Sequence, residues 1–273
     1  MGTVTLRDNR SMVTDQINDL ERNAWSMFSS TGLGPGGRIV DTPTRLVVES
    51  PVPRPPYNGV WRFFDEGDRP LRHQAEELLA PMTERGVSPV WLVHPTTPPR
   101  IRDVLLELGM VRAEEAYGMY ADLTEIDAPQ ATPDGIEVVE LSSDDSQPWL
   151  ELVSWRYGLA EESSAYLRGV YLENLERGTR CWVALVDGRP ASKAVLHVEN
   201  GVAGIYGVAT TEAGRGRGLA TLLCATALDA ARVAGIRRTI LHSTPMARSL
   251  YQRLGYREVA TFEMWAAPDT LHL

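Results

Sequence analysis

The sequence predicts a mixed α/β fold built from two pseudo-repeated halves. Three observations carry this reading. Alternating apolar runs of strand type take turns along the chain with segments of helical spacing. Asp187-Gly188 joins two alternating runs, "RCWVALVDG" and "PASKAVLHVENG", a strong hairpin signal. Finally, "VWLVHPTTPPRIRDVLLELGMVRAEEAYGMYADL" (90–123) has the cadence of "RTILHSTPMARSLYQRLGYREVATFEMWA" (238–266). Each reads strand, Thr/Pro-rich turn, short helix, Leu-Gly, strand, which suggests an internal duplication. Chance likeness between two α/β endings is the plain alternative. A chain of 273 residues has room for two halves of about 130 each.

The elements follow in order. "MVTDQINDLERNAWSMF" is helical until "STGLGPGGR" (30–38) breaks it. "TRLVVES" is a strand, closed by the proline-rich "ESPVPRPPYNG" (49–59), and "YNGVWRFF" (57–64) is an aromatic strand. "LRHQAEELLAPMTERG" (71–86) reads as a helix and "VSPVWLVHP" as a strand. In "PPRIRDVLLELGM" (98–110), Ile101, Val104, Leu105 and Leu108 have helical spacing. "AYGMYADL" (116–123) is a strand. "TEIDAPQATPDG" (124–135) is polar, has two prolines and no period, and marks a boundary between domains at 1–125 and 134–273.

In the second half "GIEVVEL" is a strand, and "QPWLELVSWRYGL" and "SSAYLRGVYLENLE" are helices. The hairpin follows, then the strand "VAGIYGVAT" and the helix "GLATLLCATALDAARVAG", ended by Gly235. "RTILHS" is a strand, "PMARSLYQRLG" a short helix closed by Gly255, and "REVATFEMWA" the final strand.

Composition excludes several classes. With 27 Lys and Arg against 36 Asp and Glu, the charge is −9, which disfavours sequence-independent nucleic-acid binding. It fits a cationic or neutral small-molecule partner, or simply solubility. Cys181 and Cys224 are too few and too far apart for a disulfide framework or a zinc pattern. His73, His94, His197, His242 and His272 show no paired ligand spacing, so no metal is expected. The start, "MGTVTLRDNRSMVTDQ", lacks a signal-peptide core, and Leu6 stands where a myristoylation signal wants Ser or Thr. No run approaches membrane-spanning length. The expectation is a cytoplasmic protein without membrane partners.

The most informative stretch is "AGRGRGLATLL" (213–223), between the strand "VAGIYGVAT" and an amphipathic helix. Glycines let a backbone approach a ligand closely, and the helix start behind them offers free N–H groups and a positive dipole end. Arg215 and Arg217 add charge, which suits a pyrophosphate. A P-loop is excluded, because no lysine follows Lys193. The dinucleotide fingerprint also fails: its third glycine position falls on Leu219 or Thr221.

Arg215-Gly216-Arg217-Gly218-Leu219-Ala220 reads Arg-x-x-Gly-x-Ala. This closely resembles the acyl-CoA signature, Gln/Arg-x-x-Gly-x-Gly/Ala, of the GNAT (GCN5-related N-acetyltransferase) family. "MARSLYQRLGY" (246–256) resembles the family's later motif, a helix ending in Leu-Gly-Phe/Tyr. The likeness spans residues 134 to 267, and residues 1–123 resemble only the back half of such a domain.

The resemblance implies an α/β fold (α+β, mixed sheet) with splayed central strands flanked by helices. It implies acetyl-CoA as acyl donor and a degenerate N-terminal domain that does not bind CoA. The pantetheine arm would lie along Val208, Ala209 and Thr210. Backbone N–H groups of Gly216, Gly218, Leu219, Ala220 and Thr221 would hold the pyrophosphate, assisted by Arg215 and Arg217. Tyr251 aligns with the tyrosine that serves many members as general acid.

The base is a departure. Many relatives carry a glutamate on the strand before the loop, and "VAGIYGVAT" has no carboxylate. His197 and Glu199 on the preceding strand are the candidates, with His242 and a water chain as alternatives. Acceptor contacts are expected from "SWRYGLAEESSAYLR" (154–168), where Glu161 and Glu162 would attract a cationic amine or merely charge a helix start. The leading expectation is N-acetyltransfer to a small amine or amino-acid-like substrate by direct attack in a ternary complex, in a monomer or homodimer. A non-catalytic acyl-CoA-binding sensor or partner protein is the alternative. Aminoacyl transfer from tRNA on a similar two-lobed fold is disfavoured by the charge and the intact loop.

Overall fold

The computed structural model describes residues 9–126, 131–144, 147–157 and 159–268. The polar start with Leu6, residues 127–130 of the boundary stretch and His272 lie outside the described residues, as do the side chains of 154–157. The first half runs α1 (Asn9–Ser29), β1 (Arg38–Asp41), β2 (Arg45–Glu49), β3 (Gly59–Phe63), α2 (Leu71–Glu84), β4 (Val90–Val93), α3 (Ile101–Glu107) and β5 (Val111–Asp122). The second runs β6 (Ile136–Glu140), α4 (Gln147–Tyr157), α5 (Glu161–Glu176), β7 (Arg180–Val186), β8 (Arg189–Glu199), β9 (Val202–Thr210), α6 (Leu219–Val233), β10 (Arg238–Ser243), α7 (Arg248–Arg253) and β11 (Arg257–Ala266).

Local chemistry accounts for most boundaries. Asp187 (φ 51°) and Gly188 (φ 74°) both take the left-handed conformation that a two-residue hairpin turn needs. The helix α6 buries Leu219, Leu222, Leu223, Ala227, Leu228 and Ala231, a helical stripe. Two elements differ from the expectation. The short edge strand β1 has no apolar run to announce it. β5 begins at Val111, five residues earlier than "AYGMYADL", because its polar first half pairs with β11 from Val111↔Ala266 onward.

Among the described residues, all eleven strands join one mixed sheet in the order β1-β2-β3-β4-β11-β5-β10-β9-β8-β7-β6. Only β3·β4 and β9·β10 are parallel. Exchanging β1–β5 with β7–β11 merely reverses this order and leaves β6 as an extra edge strand. Each half gives its last strand to the other: β5 lies between β10 and β11, and β11 between β4 and β5. The centre of the exchange is Thr261↔Tyr117, flanked by Phe262↔Ala116 and Ala260↔Gly118. Gly118 is fixed by this crossing, since a Cβ there would lie 2.7 Å from a ring carbon of Phe262.

Helices α6 and α7 cover one face of the second half, and α2 and α3 the same face of the first. Helices α1, α4 and α5 cover the opposite face. The helix α1 spans both halves. Its Leu20 packs with Leu46, Trp61 and Val90 of the first half and Ile240 and Phe262 of the second. Asn23 donates to the Val202 carbonyl at 2.9 Å and accepts from the Tyr206 hydroxyl at 2.7 Å. Arg238 donates to Asp19 at 2.7 Å.

Two features of the sheet place the site. Pairing between β9 and β10 runs only from Val202↔Arg238 to Ile205↔Leu241, so Tyr206–Thr210 and His242–Ser243 diverge. On its other edge β9 carries a bulge, with Tyr206 opposite Val195 and Ala209 opposite Lys193. One extra residue is thus inserted at the mouth of the splay.

Candidate functional site

The loop after β9 is built around glycine. Gly216 (φ 75°) and Gly218 (φ 74°) lie in the left-handed region, where any other residue is strained by about 1–2 kcal/mol. A Cβ at either would meet nothing within 4 Å, so the space in front of the loop is open. Gly218 is the N-cap of α6 and offers no capping side chain. The first N–H groups of the helix, from Leu219, Ala220 and Thr221, therefore point outward with the dipole behind them. Arg215 and Arg217 are exposed and have no ion-pair partner among the described residues. Beside the loop is a cavity of about 430 Å³ whose lining includes Arg217, Gly218, Thr221, Arg253 and Gly255, with one carboxylate, Glu125. These are the features a pyrophosphate-bearing ligand requires. Arg253 is a contributor that sequence reasoning missed; its place in the last turn of α7, just before Leu254-Gly255, was the available signal.

The first half has no such seat. Its corresponding loop, between β3 and α2, carries Asp65, Glu66 and Asp68. Its Arg69 is taken by Glu66 at 3.1 Å and Glu77 at 2.6 Å, and Pro70 caps α2. Carboxylates at that position repel an anion.

Val208, Ala209 and Thr210 are half-buried along the diverging end of β9. Ser192 on β8 fixes this end, donating to the Ala209 carbonyl at 3.0 Å and lying 2.8 Å from the Thr210 hydroxyl. Tyr251 on α7 belongs to the same apolar cluster as Leu219, with Val208 packed against it. The structure thus brings the strand, the loop and the tyrosine together. Tyr251 is buried, and its hydroxyl has no hydrogen-bond partner among the described residues, whereas the neighbouring Tyr256 is tied to Thr239 at 2.7 Å. Burial, with Cys224 and Tyr256 adding to it, pushes the Tyr251 phenol well above its ordinary value, so it stays a proton donor.

His197 and Glu199 lie together on the opposite, α1-covered face. Ser26 of α1 donates to Glu199 Oε2 at 2.8 Å and is 3.0 Å from His197 Nε2. His197 Nδ1 is 3.2 Å from the Thr179 hydroxyl. A proton on Nε2 satisfies the whole chain, with Thr179 donating to Nδ1. Burial lowers the His197 pKa, opposed by Glu199. Both residues sit where β8 and β9 are regularly paired, at His197↔Gly204 and Glu199↔Val202, and not at the splay. His242 is at the splay, its ring 6.3 Å from Tyr206 and 4.4 Å from Phe262. Among the described residues its two ring nitrogens have no hydrogen-bond partner, and burial pushes its pKa down to about 4. Glu161 and Glu162 are exposed in the first turn of α5, whose N-cap Ala160 gives no side-chain cap. Among the described residues no group of three or more His, Cys, Asp or Glu is placed to hold a metal, and no helix is long and apolar enough to cross a membrane.

No curated protein matches the chain in sequence. A GCN5-related N-acetyltransferase from Kribbella flavida superposes with a TM-score of 0.63 at 19% identity, covering 90% of this chain and 95% of that one. A tandem GNAT protein from the clavulanic acid biosynthesis pathway gives 0.61 at 16% identity, covering 95% of each. A Drosophila protein gives 0.59 at 14% identity, covering 96% of this chain and 98% of that one. At these identities the likeness is one of fold. Residues 140–256 match the profile of the acetyltransferase (GNAT) family. These residues, which hold the splayed strands, the glycine loop and the Tyr251 helix, are a GNAT-family acetyltransferase domain within the chain.

Proposed function

We propose that this protein is an acetyl-CoA-dependent N-acetyltransferase acting on the amine of a small or amino-acid-like molecule. One observation carries the reading. The uncapped, glycine-built start of α6 follows the splayed end of β9, and Tyr251 packs in one apolar cluster with Leu219 and Val208, which supports an anion seat and a proton donor serving one cleft. When bound, acetyl-CoA supplies a thioester that an amine can attack. The N–H groups of Gly216, Gly218 and Leu219 to Thr221 hold its pyrophosphate, and Arg215 and Arg217 add charge. Val208, Ala209 and Thr210 offer the backbone edge that β10 leaves unpaired. Tyr251 donates to the departing sulfur. The first half, with its carboxylate-lined loop, is a degenerate GNAT-like partner that binds no CoA. One chain then imitates a pair of domains and needs no second copy.

Calorimetric titration of acetyl-CoA, followed by release of CoA across a panel of amines, tests the reading. Micromolar binding with amine-dependent release is expected. Binding without turnover against any amine would move the protein to the acyl-CoA sensor class, for which the lack of a carboxylate on β9 speaks.

For the proton the attacking amine must lose, His197 and Glu199 are the proposed acceptors, reached from the splay by a water chain because both stand in the regularly paired part of β8 and β9. His197→Ala is expected to remove the acid limb of the pH–rate profile, because the lowered pKa puts that limb below the ordinary histidine range. An unaltered profile removes the pair from the mechanism.

A further inference from the structure

The bulge at the mouth of the splay is held by an unusual group. Lys193 is the one lysine among the chain's 27 basic residues. It is only 5% exposed, although a lysine is almost never so deeply buried without a polar partner. Its Nζ donates to the carbonyl of Gly207 at 2.5 Å. Gly207 is shaped for this contact. Its φ of 56° is left-handed, and a Cβ there would lie 2.9 Å from the Lys193 ammonium. Gly207 and Val208 are also the residues that the bulge leaves without a register partner on β8.

The peptide between Gly207 and Val208 links the two faces of the sheet. Lys193 extends on the α1-covered face, beside its cross-strand neighbour Val183. A trans peptide holds its C=O and N–H antiparallel. With the Gly207 carbonyl drawn towards Lys193, the Val208 N–H is directed away from it. That is the side where Val208 packs in the cluster of Tyr251 and Leu219. A cation on the carbonyl also polarises the peptide and makes its N–H a stronger donor.

We infer that Lys193 is a positioning residue for acyl transfer: by holding the Gly207 carbonyl, it aims the Val208 N–H at the thioester oxygen on which negative charge gathers. In that step the amine nitrogen bonds to the acyl carbon and gives up a proton to water or the base, the C–S bond breaks, the sulfur leaves with the electron pair and receives a proton from Tyr251 or solvent, and the Val208 N–H stabilises the passing oxyanion. The inference rests on the reading of this cleft as an acetyl-CoA site.

A sole lysine makes the test direct. Protein labelled with [15N]lysine gives one side-chain ammonium signal, and that signal is expected to shift when acetyl-CoA is added. Hydrolysis of acetyl-CoA, with water as acceptor, supplies a rate that needs no identified amine. Lys193→Met is expected to lower its kcat by about 10- to 100-fold while the Kd for acetyl-CoA stays within twofold. Unchanged kcat in Lys193→Met overturns the inference. So does a loss of affinity matching the loss of rate, or a lysine signal in the wild type that ignores bound acetyl-CoA. Absence of acetyl-CoA binding to the wild type would instead overturn the acetyltransferase reading, and the inference with it.

Discussion

Gly218→Glu abolishes acetyl-CoA binding while leaving the fold intact: that is the expected result of titrating the variant beside the wild type. Two effects act in the same direction. The left-handed φ of 74° at Gly218 strains any side-chain-bearing residue by about 1–2 kcal/mol. The loop relieves that strain by turning the first N–H groups of α6 away from the anion. A carboxylate at the N-cap then faces the pyrophosphate directly. Two like charges about 4 Å apart near a protein surface cost about 4 kcal/mol. Together these exceed 3 kcal/mol, a loss of more than about 100-fold. The fold tolerates the change because Gly218 is exposed and its Cβ would meet nothing within 4 Å. Gly218→Ala separates the two effects: it keeps the strain and omits the charge, so a loss of about 10-fold or less is expected. Wild-type affinity in Gly218→Glu, measured by calorimetry on folded protein, would exclude the loop as the acyl-donor seat.

Much of this site was legible in the sequence because it depends on local backbone rules. A glycine pair at a strand-to-helix junction can be read from spacing alone, and Gly216 and Gly218 do take the conformations that only glycine accepts readily. The paired cadences at 90–123 and 238–266 become the elements from β4 to β5 and from β10 to β11, which occupy matching places in the sheet. Their exchange could not be read. Strand pairing in space leaves no mark on the period of either strand, and β5 and β11 alternate in the same way whichever neighbour they meet.

The role of α1 was hidden for a different reason. Its inward stripe includes Gln16, Glu21 and Asn23 beside Leu20 and Ala24, so apolar spacing understates how much of the helix is buried. The partners that make those polar groups tolerable come from distant segments. Glu21 meets His94 at 2.9 Å and Thr96 at 3.0 Å, and Asn23 meets Val202 and Tyr206. Lys193 was hidden likewise. In the alternating run "PASKAVLHVENG" a lysine suggests the solvent face, and only the bulge on β9 shows that it points at a backbone carbonyl.

Tyr251→Phe removes a single oxygen from a side chain that is otherwise packed, so binding and folding should be spared while turnover falls. The size of the fall follows from the proton affinities. A free thiol has a pKa of about 8.5 and a phenol about 10. Burial raises the Tyr251 phenol further. Complete proton transfer to the leaving sulfur is therefore uphill, and Tyr251 acts mainly by donating a hydrogen bond as the C–S bond lengthens. General-acid contributions span about 10²- to 10⁴-fold, and a weak acid facing a good leaving group belongs at the low end. A drop in kcat of about 100-fold is expected, with the Kd for acetyl-CoA unchanged within twofold. The same reasoning fixes the pH dependence. Tyr251 must be protonated to act, and its pKa is raised, so it is not deprotonated as pH rises towards 10. The wild-type rate should show no alkaline limb from this group below about pH 10. An alkaline limb near pH 8 that vanishes in Tyr251→Phe would mean that the phenol is far more acidic than its burial allows. A Tyr251→Phe enzyme with full kcat would mean that the sulfur leaves without help from this residue.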